Sequence, residues 1–162
     1  MTNENSLSFR TGSFGRETLE LSQVLLFHTD KPGIKLRICY PHRNQETGSL
    51  IERHTDTFLD DAKVEELRDL LDEPSEQQES IVCGNEGLDT ILLEPHTIQE
   101  KDNIIPALKI SIKVPGNGVK PFYTAITSFN RITRLTIADY LNNWLEENGF
   151  LEDAEVLSSV GG

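Results

Sequence analysis

Basic side chains at alternate positions are the feature of this sequence most capable of chemistry. Lys35 and Arg37 alternate with apolar residues in IKLRICY, and Lys109 and Lys113 do so in LKISIKV. Alternate residues of a β-strand point to one face and lie about 6.5–7 Å apart, close to the phosphate spacing of an extended nucleic-acid strand. Together with Arg53, these residues are predicted to point to the outer face of a sheet and to contact phosphates there. The alternative is a solvated sheet face, where Lys and Arg also discourage edge aggregation.

Further basic and aromatic residues could extend that face. Arg10 and Arg16 flank the glycine-rich stretch RTGSFGR, which is predicted to be a hairpin tip, and Arg43 lies in a polar loop. Lys120 and Tyr123 lie around the start of a later strand, where Tyr123 could stack on a base. These five residues are predicted to be auxiliary contacts, although a plain turn also explains RTGSFGR.

Metal and catalytic motifs are absent from the sequence. The histidines have no i, i+4 pair and no zinc-type spacing with the cysteines, and there is no nucleophile elbow, phosphate-cradling glycine loop or dinucleotide fingerprint. The residues concerned are His28, His42, His54, His96, Cys39 and Cys83. The two cysteines are too few for a disulfide scaffold and are expected to be buried thiols. We therefore expect a protein without catalytic residues, metal or cofactor.

The net charge offers a second functional class. It is −12, with a pI near 4.7. Residues 55–105 contain fifteen acidic and three basic side chains, whereas the segments before and after are close to neutral. Such a surface suits a module that docks on a basic partner, as inhibitors and immunity proteins do, with Glu65, Glu66 and Asp69 as candidate contacts. Ordinary solubility is the simpler explanation. A continuous positive sheet face would favour nucleic acid instead.

The first half of the chain predicts four strands followed by a helix. The strands are predicted at 6–14, 17–29, 34–40 and 50–58, and the helix at 60–73. A type II turn is expected at Asp30-Lys31-Pro32-Gly33. Asp60 or Asp61 is expected to cap the helix, whose buried stripe is Val64, Leu67 and Leu71.

The same order of elements returns in the second half. Strands are predicted at 79–84, 90–97, 108–114 and 121–129 and a helix at 133–147, with an Asn-Gly hairpin turn at 117–118. Matching positions lie about 74 residues apart, as for Lys35 with Lys109 and Leu67 with Leu141. The sequence thus predicts one α+β domain over 1–162, with antiparallel pseudo-repeats at about 6–73 and 79–147 and an acidic tail at 150–162.

A basic strand, a polar loop, a strand and an Asp-capped helix follow one another in KPGIKLRICYPHRNQETGSLIERHTDTFLDDAKVEELRDLL, residues 31–71. Used twice in one chain, this order resembles the positive-cofactor-four, Whirly and Pur-alpha group of single-stranded nucleic-acid binders. The resemblance implies a curved sheet that holds bases and phosphates, and helices that mediate subunit packing. It also implies a non-enzymatic, sequence-tolerant DNA or RNA binder that could form homo-oligomers.

A different resemblance competes for residues 34–113. Their order of strand, strand, helix, strand, strand, turn and strand is similar to the ubiquitin-like β-grasp, and the chain ends in Gly161-Gly162. Here that pair follows a helix and an acidic tail instead of the last β-grasp strand. No apolar run approaches the roughly 18 residues of a membrane span, so a cytoplasmic location without membrane contact is expected.

Overall fold

The structure is a computed structural model that describes residues 6–11, 16–26, 29–84, 88–115 and 122–150. It contains eight strands and two helices in these segments. In chain order they are β1 (Ser6–Thr11), β2 (Glu17–Leu25), β3 (Pro32–Arg43), β4 (Leu50–Leu59), α1 (Asp61–Asp72), β5 (Glu79–Cys83), β6 (Asp89–Glu100), β7 (Asn103–Pro115), β8 (Phe122–Asn130) and α2 (Arg131–Glu147).

The strands form two antiparallel sheets with the same topology. Sheet A has the order β1-β2-β3-β4 and sheet B the order β5-β6-β7-β8. Each sheet is followed by its helix, so that unit 1 (β1–β4 with α1) and unit 2 (β5–β8 with α2) share one arrangement. The predicted α+β class of tandem four-strand-and-helix units is confirmed. Lys35 and Lys109 both lie on the third strand of their sheets.

The β-grasp alternative is wrong. It requires the strands of residues 34–113 to form one sheet, whereas β3 and β4 belong to sheet A and β5, β6 and β7 to sheet B. Every pairing among the described strands is antiparallel between chain neighbours.

One hydrophobic core joins both sheets and both helices. The inner faces supply Leu and Ile at alternate strand positions, such as Leu36 and Ile38 of β3 and Ile110 and Ile112 of β7. Helix α1 buries the expected stripe of Val64, Leu67 and Leu71, and α2 buries Ile137, Ala138, Leu141, Trp144 and Leu145. Neither sheet has a core of its own, because the helices and both inner faces pack into a single cluster.

Both helices begin at a capping side chain. Asp60 accepts a hydrogen bond from the Lys63 amide at 3.0 Å, as predicted for α1. Asn130 accepts one from the Thr133 amide at 3.0 Å. Helix α2 therefore begins at Arg131, two residues before the predicted start, because the cap is the last residue of β8.

The two helices contact each other at matching positions. Arg68 of α1 donates a hydrogen bond to Oδ1 of Asn142 on α2 at 2.9 Å, and the two residues are 74 positions apart. That separation is the spacing of the pseudo-repeats. When two similar units are related by a twofold axis, matching positions touch only close to that axis. The contact between Arg68 and Asn142 is the one that a pseudo-twofold axis between α1 and α2 would produce.

A short clasp links sheet A to sheet B beyond the core. The Gly84 amide donates to the carbonyl of Phe58 at 2.9 Å. The hydroxyl of Thr57, on β4, donates to Oδ2 of Asp89 at 2.7 Å and lies 3.3 Å from the sulfur of Cys83. Thr57 is fully buried. The clasp holds the end of β4 against the end of β5 and the start of β6.

The turn before β3 differs from the prediction. Pro32 and Gly33 are already paired with β2, as Pro32 with Leu25 and Gly33 with Val24. The turn lies earlier, where the Leu26 amide donates to the Lys31 carbonyl at 2.7 Å. Gly33 is needed for close packing instead, because a Cβ there would lie 2.8 Å from the carbonyl oxygen of Leu59.

A two-stranded ribbon extends from sheet B. Strands β6 and β7 remain paired as far as Glu100 with Asn103, whereas β5 pairing ends at Leu93 and β8 pairing at Ala107. We refer to residues 95–106 as the ribbon. Pro95 lies beyond the last β5 pair, so no ladder hydrogen bond is lost on that side of β6. This explains how a proline is tolerated in a strand that is central elsewhere.

Some predictions fall outside the described residues. They concern the Asn-Gly turn at 117–118, the glycine-rich tip at 12–15 and the acidic tail beyond residue 150.

Candidate nucleic-acid interface

The outer face of sheet A carries charges of both signs. The register places Glu20, Arg37 and Asp56 in one row across β2, β3 and β4. The neighbouring row consists of Ser22, Lys35 and Phe58. All of these side chains alternate with core residues and point away from the helices. The face is therefore mixed in charge and is not a continuous positive patch.

Arg37 is engaged by its cross-strand neighbour. Its Nε lies 2.7 Å from Oδ1 of Asp56, and its Nη2 lies 2.9 Å from Oδ2. This bidentate pair is partly shielded, with side-chain exposures of 30% and 22%. The hydrogen bond with Asp56 raises the pKa of Arg37. A phosphate would have to displace the carboxylate, so Arg37 is a poor first contact for nucleic acid.

Cys39 is also held on this face by an acidic residue. Its thiol lies 3.4 Å from Oε2 of Glu20. Burial, followed by the hydrogen bond and the charge of Glu20, raises the pKa of Cys39 to about 11. The thiol is therefore protonated at neutral pH and is a weak nucleophile.

Arg53 is on the opposite face from the other predicted contacts. Arg53 is paired with Tyr40, whose side chain packs against the core, so both occupy the inner face. The next residue, His54, is paired with Cys39 and faces outward. The expected outward parity of Arg53 is therefore wrong. Because this part of β4 extends past the core, Arg53 remains exposed and lines a shallow groove with His42 at the end of the β3–β4 hairpin.

The outer face of sheet B has a different chemistry. Lys109 and Lys113 lie on the central strand β7, at two of its outward positions. The same face carries exposed apolar side chains: Val82 is 53% exposed and lies in the row of Lys113, separated from it by Thr90, and Ile126 is 42% exposed. Leu92 lies in the same row as Ile126, separated from it by Ser111. This face combines cations with exposed apolar surface.

The two lysines of sheet B are not neutralised by a close acidic group. Within the described part of the chain, neither lysine has a carboxylate within ion-pair distance, 4 Å, of its ammonium group. Glu94 is directly opposite Lys109 in the register but forms no such pair. Both lysines are half-buried, so their alkyl stems lie along the sheet while the ammonium groups reach water. Lys35 on sheet A is also half-buried and has no carboxylate within 4 Å among the described residues, so Lys35, Lys109 and Lys113 are the available outward-facing cations of the predicted set.

The auxiliary residues are only partly brought to this surface. Arg10 is exposed near the end of β1, and Arg16 is exposed just before β2. Arg43 donates to the Gly48 carbonyl at 2.6 Å and stabilises its own hairpin loop. Lys120 and the side chain of Tyr123 lie outside the described residues.

Sequence reasoning missed the apolar members of both faces. Phe58 lies opposite Lys35 and is half-buried on the outer face of sheet A. Val82 and Ile126 lie on the outer face of sheet B, opposite Thr90 and Ser111. Their alternate positions along the strands indicate that they face outward, but only the strand register shows which residues they lie opposite.

The acidic residues of α1 have basic partners on the same helix. Arg68 lies 3.8 Å from Glu65 and 2.9 Å from Asp69, and Lys63 lies 3.6 Å from Glu66. Glu65, Glu66 and Asp69 are nevertheless all exposed. Their negative potential is reduced but remains accessible.

The described residues contain no group of three or more His, Cys, Asp or Glu side chains that could hold a metal ion. Cys83 is buried beside Thr57, and burial raises its pKa to about 11. Neither described helix is long and apolar enough to span a membrane.

Comparison with known proteins gives a likeness of fold. No protein-family model matches the chain. No curated protein matches it either. Among solved structures, the chain is similar to one described as "Crystal structures of trypanosoma bruciei MRP1/MRP2", with a TM-score of 0.54 and 10% sequence identity. The match covers 90% of this chain and 85% of the other. At this identity the likeness concerns the fold alone.

Proposed function

We propose that this protein binds single-stranded nucleic acid weakly and with little sequence preference, and that the outer face of sheet B is the principal contact surface. The observation that carries the proposal is the pair Lys109 and Lys113, which have no acidic partner within 4 Å among the described residues and which share the outer face of sheet B with the exposed side chains of Val82 and Ile126. Proteins that bind single strands without sequence readout combine cations for the phosphates with apolar or aromatic surface for the bases.

The distribution of charge supports this choice of surface. The segment from Asp60 to Glu73, which contains α1, has seven carboxylates against two basic side chains. The outer faces of the two sheets carry nearly equal numbers of acidic and basic side chains. A polyanion is therefore repelled least, and attracted most, on the side away from α1. The order of strands and helices, which resembles the Whirly-type group, is consistent with binding on the sheets.

The apolar residues set the expected strength of binding. Val82 and Ile126 can contact a base but cannot stack on it as an aromatic ring does. Phe58, with Lys35 beside it, offers an aromatic contact on sheet A. We therefore expect weak binding in which sheet B contributes most and Lys35 contributes less.

Fluorescence anisotropy with a labelled oligothymidylate tests the proposal. Contacts from Lys35, Lys109 and Lys113 to about three phosphates give a log-log salt slope near −2, at roughly 0.7 per phosphate on a single strand. The double variant Lys109→Gln, Lys113→Gln should weaken binding and reduce the slope in magnitude by about 1.4.

A variant of equal charge provides the control. Lys31→Gln with Lys101→Gln also removes two positive charges, but both residues are at exposed turns instead of on the sheet face. This control should retain most of the binding. Absence of binding by the wild-type protein at low salt, or equal losses in the two double variants, would contradict the proposal.

A basic protein partner is the second candidate function, favoured by the exposure of Glu65, Glu66 and Asp69 on one helix. The triple variant Glu65→Gln, Glu66→Gln, Asp69→Asn should then lose a basic partner recovered by affinity capture, while Lys109→Gln retains it. The contacts of these carboxylates with Lys63 and Arg68 place this candidate behind the first.

A further inference from the structure

A small pocket lies away from the sheet faces, where the ribbon meets the ends of the helices. Its volume is about 190 Å³. It is bordered by the segment after α1, the base of the ribbon on β6 and β7, and the first turn of α2. The residues that matter for its chemistry are Pro74, Ser75, Pro95, Pro106, Arg131 and Arg134.

Three proline rings form the walls of this pocket. Pro74 follows α1, whereas Pro95 and Pro106 lie on the two strands of the ribbon. A pyrrolidine ring has almost no side-chain freedom, so walls of this kind lose little entropy when a ligand binds. Their flat apolar faces suit a planar apolar group.

Two guanidinium groups lie in the same pocket. Arg134 donates to the carbonyls of Leu71 and Asp72, which are the last residues of α1. Arg131 is exposed, and within the described part of the chain it has no hydrogen bond or ion pair. Burial, and then the positive charge of Arg131, lowers the pKa of Arg134. The two cations therefore repel each other, and an anion between them would relieve that repulsion.

Asp72 is the acidic group that competes for this position. Its charge acts on Arg134 in the opposite direction to that of Arg131. The side chain of Asp72 is exposed, and among the described residues its carboxylate makes no ion pair within 4 Å. It therefore does not occupy the guanidinium groups.

We propose that this pocket binds a small organic anion, consisting of one planar ring that bears a single carboxylate or phosphate. The ring lies against the prolines, and the oxyanion is held by Arg131 with help from Arg134. Guanidinium groups match both oxyanions and also stack on planar rings, which favours this ligand class over aliphatic anions. The volume is below the roughly 300 Å³ at which drug-sized sites begin, so one ring is the largest body that fits.

Titration of the isotope-labelled protein, followed by amide NMR shifts, tests this inference. The probes are benzoate, phenyl phosphate, benzamide and acetate. Benzoate or phenyl phosphate should cause saturable shifts at Ser75, Ala107 and Arg131, with a Kd of about 1 mM at ordinary ligand efficiency. The tighter of the two identifies the oxyanion. Benzamide, which lacks charge, and acetate, which lacks a ring, should bind at least tenfold more weakly.

Variants then assign the anion contact. Arg131→Gln should weaken benzoate at least tenfold, Arg131→Lys should weaken it less, and the charge-matched control Lys31→Gln should leave it unchanged. An unchanged amide spectrum away from the pocket establishes that each variant is folded. The proposal is overturned if benzoate and phenyl phosphate give no saturable shift at 10 mM, roughly ten times the expected Kd, if benzamide or acetate matches them, or if Arg131→Gln binds as well as the wild type.

Discussion

The outer faces of the two sheets differ although the sheets share one strand order. On sheet A, Arg37 and Asp56 form a bidentate pair and Cys39 contacts Glu20. On sheet B, Lys109 and Lys113 lie among exposed apolar side chains. Alternation along a strand therefore fixes which face a side chain occupies, whereas the contacts made with cross-strand neighbours decide whether its charge is available.

The largest expected effect tests whether the two units are equivalent in the core. Leu67 and Leu141 are matching positions and both are fully buried. Leu67→Ala and Leu141→Ala should each lower the free energy of unfolding by about 2–5 kcal/mol, because each leaves a cavity. Urea denaturation measures this. Ile132→Ala, at a position 78% exposed on α2, should cost about 0.5 kcal/mol or less. A loss below roughly 1 kcal/mol at either leucine would contradict a shared core.

The clasp between the sheets should give the next largest effect. Thr57→Val keeps the shape of the side chain but removes the donor to Asp89, so the free energy of unfolding should fall by about 1–3 kcal/mol. Thr57→Ser retains the hydroxyl and serves as the control, losing only a methyl group. If valine is tolerated better than serine in urea denaturation, the hydrogen bond does not stabilise the junction.

Ion pairing on the two faces can be compared by double-mutant cycles. The Arg37–Asp56 cycle on sheet A, with alanine at each position, should give a coupling of about 0.5–1 kcal/mol that decreases in 1 M salt. The Lys109–Glu94 cycle on sheet B should give a coupling near zero. Equal couplings in the two cycles would remove the difference between the faces.

The smallest effect concerns Glu17 at the start of β2. Burial raises its pKa above the ordinary value of 4.5 and outweighs the opposing effect of the nearby Thr127 hydroxyl, while its Oε2 makes no hydrogen bond within 3.5 Å among the described residues. The folded protein thus binds a proton more tightly than the unfolded chain, and the contribution of Glu17 to stability is lost as pH rises above 4.5 through the folded pKa. Glu17→Gln should be more stable than the wild type at pH 7 by roughly 0.5 kcal/mol or less, because solvent screens this half-buried group.

The advantage of Glu17→Gln should diminish as the pH approaches 4. Thermal unfolding of both proteins at several pH values measures it. An advantage that grows with acidity has the wrong sign for a buried carboxylate.

The order of elements was predictable because both units show clear apolar alternation and because Asp60 gives unit 1 a recognisable helix cap. The outward face of Lys35 and Arg37 follows from Leu36 and Ile38, which alternate with them along β3 and are buried. Arg53 was misplaced because the inward positions of β4 next to it are threonines, Thr55 and Thr57, which carry no apolar signal.

Cross-strand partners could not be predicted in the same way. The pairing of Arg37 with Asp56 depends on the length of the β3–β4 hairpin, and a shift by one residue would place another side chain opposite. The turn before β3 was misplaced for a related reason, because Pro32 and Gly33 are typical of turns. Gly33 is instead required by the close approach of the Leu59 carbonyl.

The contact between Arg68 and Asn142 has a consequence for what a single chain can do. Two separate copies of one unit, joined about an exact twofold axis, would have to place the same residue on both sides of it. Arginine would then face arginine. A chain that carries both units can place a cation at one of these positions and an amide oxygen at the other, as here. Covalent linkage thus allows the two halves to recognise each other as unlike partners, a form of self-recognition that an exactly symmetric pair cannot have.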